Sequence, residues 1–112
     1  MPSLFEVSAG KLAGPTTGGT VTQATNKTTG VTLNTESGQI TMNDAALGAA
    51  AEATFEVTND KIAATDVIVA VHGSAGTAGS YMVGVSAIAA GSFKITVTNV
   101  SAGSLSEAIV IN

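Results

Sequence analysis

The chain contains no cysteine, no tryptophan and no arginine, and it has only one histidine and one tyrosine in 112 residues. Without cysteine there can be no disulfide, no thiolate nucleophile and no thiolate metal site. Charge is scarce as well. Charged residues make up 11% of the chain, against ~25% in ordinary soluble domains. The surface must therefore be covered by Thr, Ser, Asn and Gly, or partly by other protein, because large uncharged surfaces favour association. The net charge is −4, and the four lysines (Lys11, Lys27, Lys61 and Lys94) are scattered. A nucleic-acid partner is not expected, since such binding needs clustered cations to displace counterions.

Long apolar runs are also missing. The longest, Ala45–Ala51 and Val67–Val71, fall far short of the ~20 residues that span a bilayer as a helix. The opening MPSLFEVSAGK has no basic start followed by an apolar core, so it does not read as a signal peptide. The sequence predicts a soluble protein made in a cytoplasm, with no membrane partner. Its length suits one domain that can bury a core without a disulfide or a metal.

What the chain does contain is short runs rich in Thr, Val and Ile, separated by Gly, Asn and Asp. Residues 1–18 read as an N-terminal arm, with an apolar patch at Leu4, Phe5 and Val7 and then Gly10, Gly14, Pro15 and Gly18 to break any regular element. Such an arm is either a disordered terminus or a docking segment that orders on a partner. Residues 19–112 read as the folded domain. Period-two runs predict strands near Thr20–Thr25, Gly30–Asn34, Gln39–Met42, Ala53–Asp60, Asp66–His72, Tyr81–Ile88, Ser92–Asn99 and Leu105–Ile111. Phe55, Val57, Phe93, Ile95 and Val97 are assigned to the core by alternation. Asp66–His72 and Tyr81–Ile88 are apolar on both faces, which predicts cover on both sides, the second from a neighbouring subunit. The alanine-rich stretch from Asn43 to Ala51 predicts one short helical turn, cut by Gly48. The whole pattern predicts an all-β, antiparallel β-sandwich of jelly-roll-like topology, with an immunoglobulin-like sandwich as the alternative.

Reactive constellations do not emerge. His72 stands alone at a strand end beside Gly73, with no Ser–His–acid spacing, and reads as a structural polar residue. Glu52 and Glu56 share a strand face, but at ~3.3 Å per residue they lie about 13 Å apart, beyond either glycosidase geometry. No calcium loop is present. Gly73, Gly76 and Gly79 lack the following Lys–Ser/Thr of a phosphate loop. No catalytic residue, cofactor or metal is expected.

Several segments carry a resemblance: Gly19-Thr20-Val21-Thr22-Gln23, Lys27 to Asn34, Ser37 to Asn43, Ala64-Thr65-Asp66-Val67, Gly76-Thr77-Ala78-Gly79 and Ser101 to Ala108. Together they resemble a structural domain that recurs in virions of tailed bacteriophages, in capsid decoration (cement) proteins and in tail or fibre proteins. The resemblance runs from Gly19 onward. It implies a virion component; taken with the low charge, the doubly apolar strands Val67–Val71 and Tyr81–Ile88 and the arm, the expectation is a homotrimer on the outer capsid surface, with the major capsid protein and its own copies as partners. Leu4, Phe5 and Val7 are the residues expected to dock on the capsid. Ile68, Ala70, His72, Tyr81 and Val83 are those expected at the subunit interface. The alternative is a tail or head-fibre module that binds a host-surface glycan through Tyr81, His72 and the loop from Gly73 to Ser80.

Overall fold

A computed structural model describes residues 18–112. It contains eight strands: β1 Gly19–Thr22, β2 Val31–Thr32, β3 Gly38–Thr41, β4 Glu52–Thr58, β5 His72–Ser74, β6 Tyr81–Ala89, β7 Ser92–Asn99 and β8 Val110–Ile111. They form two four-stranded sheets, ordered β1-β3-β8-β5 and β2-β4-β7-β6. Both inner faces contribute to one core, with Ile40 and Ile111 from the first sheet and Val31, Phe55, Val57, Ile95 and Val97 from the second. This is the arrangement of a β-sandwich.

The second sheet carries the strongest alternation. Along β4, Ala53, Phe55 and Val57 are buried while Glu52, Thr54, Glu56 and Thr58 are exposed. β7 pairs antiparallel with it, placing Phe55 opposite Ile95 and Val57 opposite Phe93. Opposed apolar side chains on one face are what stabilise such a ladder. β6 and β7 form a hairpin turning at Ala90 and Gly91, where Gly91 takes φ +85. A side chain there would be strained, which is why glycine suits the turn.

Three expectations are corrected. The sheets are mixed rather than purely antiparallel, because β1 runs parallel to β3 and β2 parallel to β4. Side-chain alternation is the same in either direction, so periodicity could not reveal it. No helix forms among the described residues, and the predicted helical turn at Asn43–Ala51 is absent. Instead Asn43 Oδ1 accepts the Ala45 N–H, Leu47 bridges to Leu105, and Ala50 turns left-handed at φ 60. Burying Leu47 beside a distant segment at Leu105 outweighs a short alanine run that cannot offset the cost of starting a helix. Finally, Asp66–His72 is not a paired strand covered on both faces. Only His72–Ser74 is a strand of the sheet, and Val71 bonds Asn112.

Candidate association surface

The segment before β5 keeps a period-two pattern. Ile68 and Ala70 are half-buried and pack on the core, while Val67, Val69 and Val71 point outward. Val67 is 91% exposed and Val69 77%. Three β-branched side chains in a row facing water are unusual on a charge-poor surface, and their place beside an edge strand makes them a candidate contact.

A polar cluster holds the loop that follows. The Glu107 carboxylate accepts the Thr77 N–H (3.0 Å), the Thr77 hydroxyl (2.9 Å) and the Tyr81 hydroxyl (2.8 Å). These bonds, led by that from the Thr77 backbone, hold its carboxyl below the usual carboxylate range. Tyr81 is pushed up to about 12, first by burial and then by the Glu107 carboxylate. The His72 ring meets Tyr81 edge-to-face with centroids 5.4 Å apart. Its Nε2 donates to the carbonyls of Ser74 (3.1 Å) and Ala75 (2.6 Å). Gly76, at φ +74, passes so close to the last segment that a Cβ would lie 2.6 Å from Ile109 Cγ2. The loop from Gly73 to Ser80 is thus tied down at Thr77 and packed closely at Gly76.

Lys27 pins the same region from the other side. It is buried, and its ammonium donates to the main-chain carbonyls of Asn43 and of Glu107 (2.7 Å). Burial lowers its pKa, while Asp44 and Glu107 oppose that shift. Gln23, also buried, donates to the Thr29 carbonyl (2.9 Å) and accepts the Asn43 N–H (3.1 Å). These side chains join the β1–β2 loop, the β3–β4 connection and the segment before β8.

The residues expected to act fall as follows. Leu4, Phe5 and Val7 lie outside the described residues. Of the five expected at a subunit contact, Tyr81 is buried, and Ile68, Ala70 and Val83 pack on the core. His72 is half-buried. The outward strip is therefore the opposite set, Val67, Val69 and Val71. Alternation had separated the two sets, but nothing in the sequence said which faced the core. Glu107 and Lys27 also escaped sequence reasoning, because Glu107 meets Tyr81 across 26 positions and Lys27 meets Glu107 across 80. Among the described residues no group of three or more His, Asp or Glu side chains is placed to hold a metal ion. No helix there is long and apolar enough to cross a membrane. No family model, curated protein or solved structure matches the chain.

Proposed function

We propose that this chain is a structural protein of a phage virion, decorating the outer capsid surface as a homotrimer and stabilising the shell. The observation that carries the reading is the outward strip Val67, Val69 and Val71 on a domain with so few charges. A solitary soluble domain gains nothing from three exposed valines in register, whereas a subunit contact buries them at ~25 cal/mol per Å². The resemblance of Gly19–Ala108 to virion domains supports the same reading. Many weak contacts repeated over a lattice would reinforce a shell by mass action, since whatever binds the assembled state stabilises it.

The alternative, a fibre module that stacks a glycan on Tyr81, has less support. That ring is buried, with its hydroxyl committed to Glu107.

The test is a cryo-electron reconstruction of the virion encoding this chain. Many copies at regular positions on the head lattice are expected. Density confined to the tail or to one vertex would refute decoration. A monomer at micromolar concentration in light scattering would refute the trimer.

A further inference from the structure

The loop between β5 and β6 is joined to the rest of the molecule by few groups. Ala75, Gly76, Thr77, Ala78 and Gly79 are all exposed, so apolar burial does little to hold them. The Ala75 carbonyl accepts from His72, three residues back, and the Thr77 carbonyl from the Ser80 N–H, three residues on. Among the described residues, the hydrogen bonds from these five to a distant segment leave Thr77 alone, through its N–H and its hydroxyl, and both end on the Glu107 carboxylate. The backbone is left-handed at Ala75 (φ 59), Gly76 (φ 74) and Gly79 (φ 75). An alanine in that region is strained, whereas the two glycines flanking Thr77 turn there freely. Glu107 itself is fixed by other groups. Its main-chain carbonyl accepts from the Lys27 ammonium (2.7 Å), Leu105 before it bridges Leu47, and the Ile109 carbonyl after it accepts the Met42 N–H (2.8 Å). The segment that carries the carboxylate is thus held independently of what the carboxylate binds.

We infer that the Glu107 side chain is the catch of an acid-released loop: its protonation frees Thr77, and the loop turns away from Ile109 about Gly76 and Gly79. As an anion the carboxylate accepts three bonds, the third from the Tyr81 hydroxyl (2.8 Å). A neutral carboxyl brings a proton of its own among those donors, and the bonds lose their charge assistance. The closed loop favours the anion, first through the Thr77 backbone bond. The hold is therefore complete above the ordinary carboxylate range, at ~4, and is lost as pH falls through the lowered folded value. The neighbouring charged groups leave acid acting on the catch alone. His72 adds to the preference for the anion, and its Nε2 donates to the Ser74 and Ala75 carbonyls in either charge state. Lys27 keeps its proton in acid, so the support under Glu107 remains, and Asp44 acts on Lys27. Release has a consequence at the core. Gly76 lies where a Cβ would be 2.6 Å from Ile109 Cγ2, and Ile109 is fully buried. Opening uncovers that side chain and gives the protein an apolar patch that is absent at neutral pH. The inference stands whether or not the protein belongs to a virion.

The test is residue-resolved amide exchange on the full chain, expressed as protection over the intrinsic rate at each pH. The Thr77 amide should be protected at neutral pH and lose about tenfold or more of that protection by about pH 2, while Ile95 and Val97 of β7 keep theirs. In Glu107→Gln the Thr77 amide should be open already at neutral pH and lose nothing further in acid. Thr77 protection that persists in acid would overturn the inference, as would parental protection of Thr77 in the variant at neutral pH. Loss at Thr77, Ile95 and Val97 together in acid would also overturn it, by showing that the whole sandwich unfolds in place of a local release. The acid measurement uses the unaltered chain, so it decides the matter even where the variant does not fold.

Discussion

Replacing Phe55 by alanine tests the register of the central ladder most directly. Phe55 is 2% exposed, stands opposite Ile95, and shares its face with Ala53 and Val57. Truncation removes the ring from a site walled by strands on both sides, so the cavity can collapse only in part. Phe→Ala changes of this kind cost ~3–5 kcal/mol. Small domains have ~5–15 kcal/mol in total, so much of the stability would go. One residue earlier the outcome differs. Thr54 is exposed, and its hydroxyl shares one hydrogen bond with that of Thr96, 2.8 Å across the ladder. A cross-strand pair of that kind contributes ~0.2–1 kcal/mol, so Thr54→Ala should cost no more than that. The assay is urea unfolding followed by far-ultraviolet circular dichroism. At a slope of ~2 kcal/mol per M, Phe55→Ala should lower the midpoint by roughly 2 M and Thr54→Ala by less than about 0.5 M. Equal shifts would refute the register.

Three further outcomes are expected. Asn99 is fully buried, donating to the carbonyls of Leu47 (2.8 Å) and Gly103 (2.9 Å) and accepting from the Ser101 N–H (2.9 Å) and hydroxyl (2.7 Å). Asn99→Ala should cost ~1–3 kcal/mol by the same urea assay, because one buried bond to the Leu47 carbonyl and three part-buried bonds to Ser101 and Gly103 are lost together. Tyr81 is the only tyrosine, so alkaline ultraviolet titration reads it alone; its midpoint should lie at about 12 and fall toward the ordinary value in Glu107→Gln. Because the folded state favours the neutral phenol, its contribution to stability is complete below ~10 and is lost as pH rises from there through the folded value. An unchanged midpoint in Glu107→Gln would show that the Glu107 bond plays no part. Val69→Asp should dissociate the proposed trimer in light scattering while leaving the urea midpoint of the monomer nearly unchanged, since Val69 is 77% exposed.

The sequence was most legible where local pattern and burial coincide. Phe55, Val57, Phe93, Ile95 and Val97 all turn inward as alternation requires, and β4 and β7 lie within two residues of their expected bounds. Legibility ended where one segment's structure depends on a distant one. The stretch Asn43–Ala51 carries helix-forming alanines, yet Leu47 is drawn to Leu105. Val67–Val71 looked like a strand enclosed on both faces, but a strand's surroundings depend on which ladders reach it, and among these residues only Val71 is backbone-bonded to the segment beside it, through Asn112. The direction of β1 against β3 and of β2 against β4 left no trace in side-chain periodicity. At the strip Val67, Val69 and Val71 the alternation was readable and the choice of inward face was not. The Tyr81–Glu107 bond joins residues that carry no shared motif.

The position of β8 has a consequence for biosynthesis. Two residues near the end of the sequence form a middle strand, between β3 and β5. Chain leaves the ribosome at ~5–20 residues per second, N-terminal part first. The β6–β7 hairpin can close during that time, because its strands are neighbours in sequence. The β1-β3-β8-β5 sheet cannot, since β5 has nothing to pair with in that sheet until Val110 and Ile111 have emerged. A nascent chain therefore carries half a sandwich with its inner face uncovered. Proteolytic clipping before Val110 would return the protein to that state, so quality-control proteases would treat the loss of β8 as a loss of the fold.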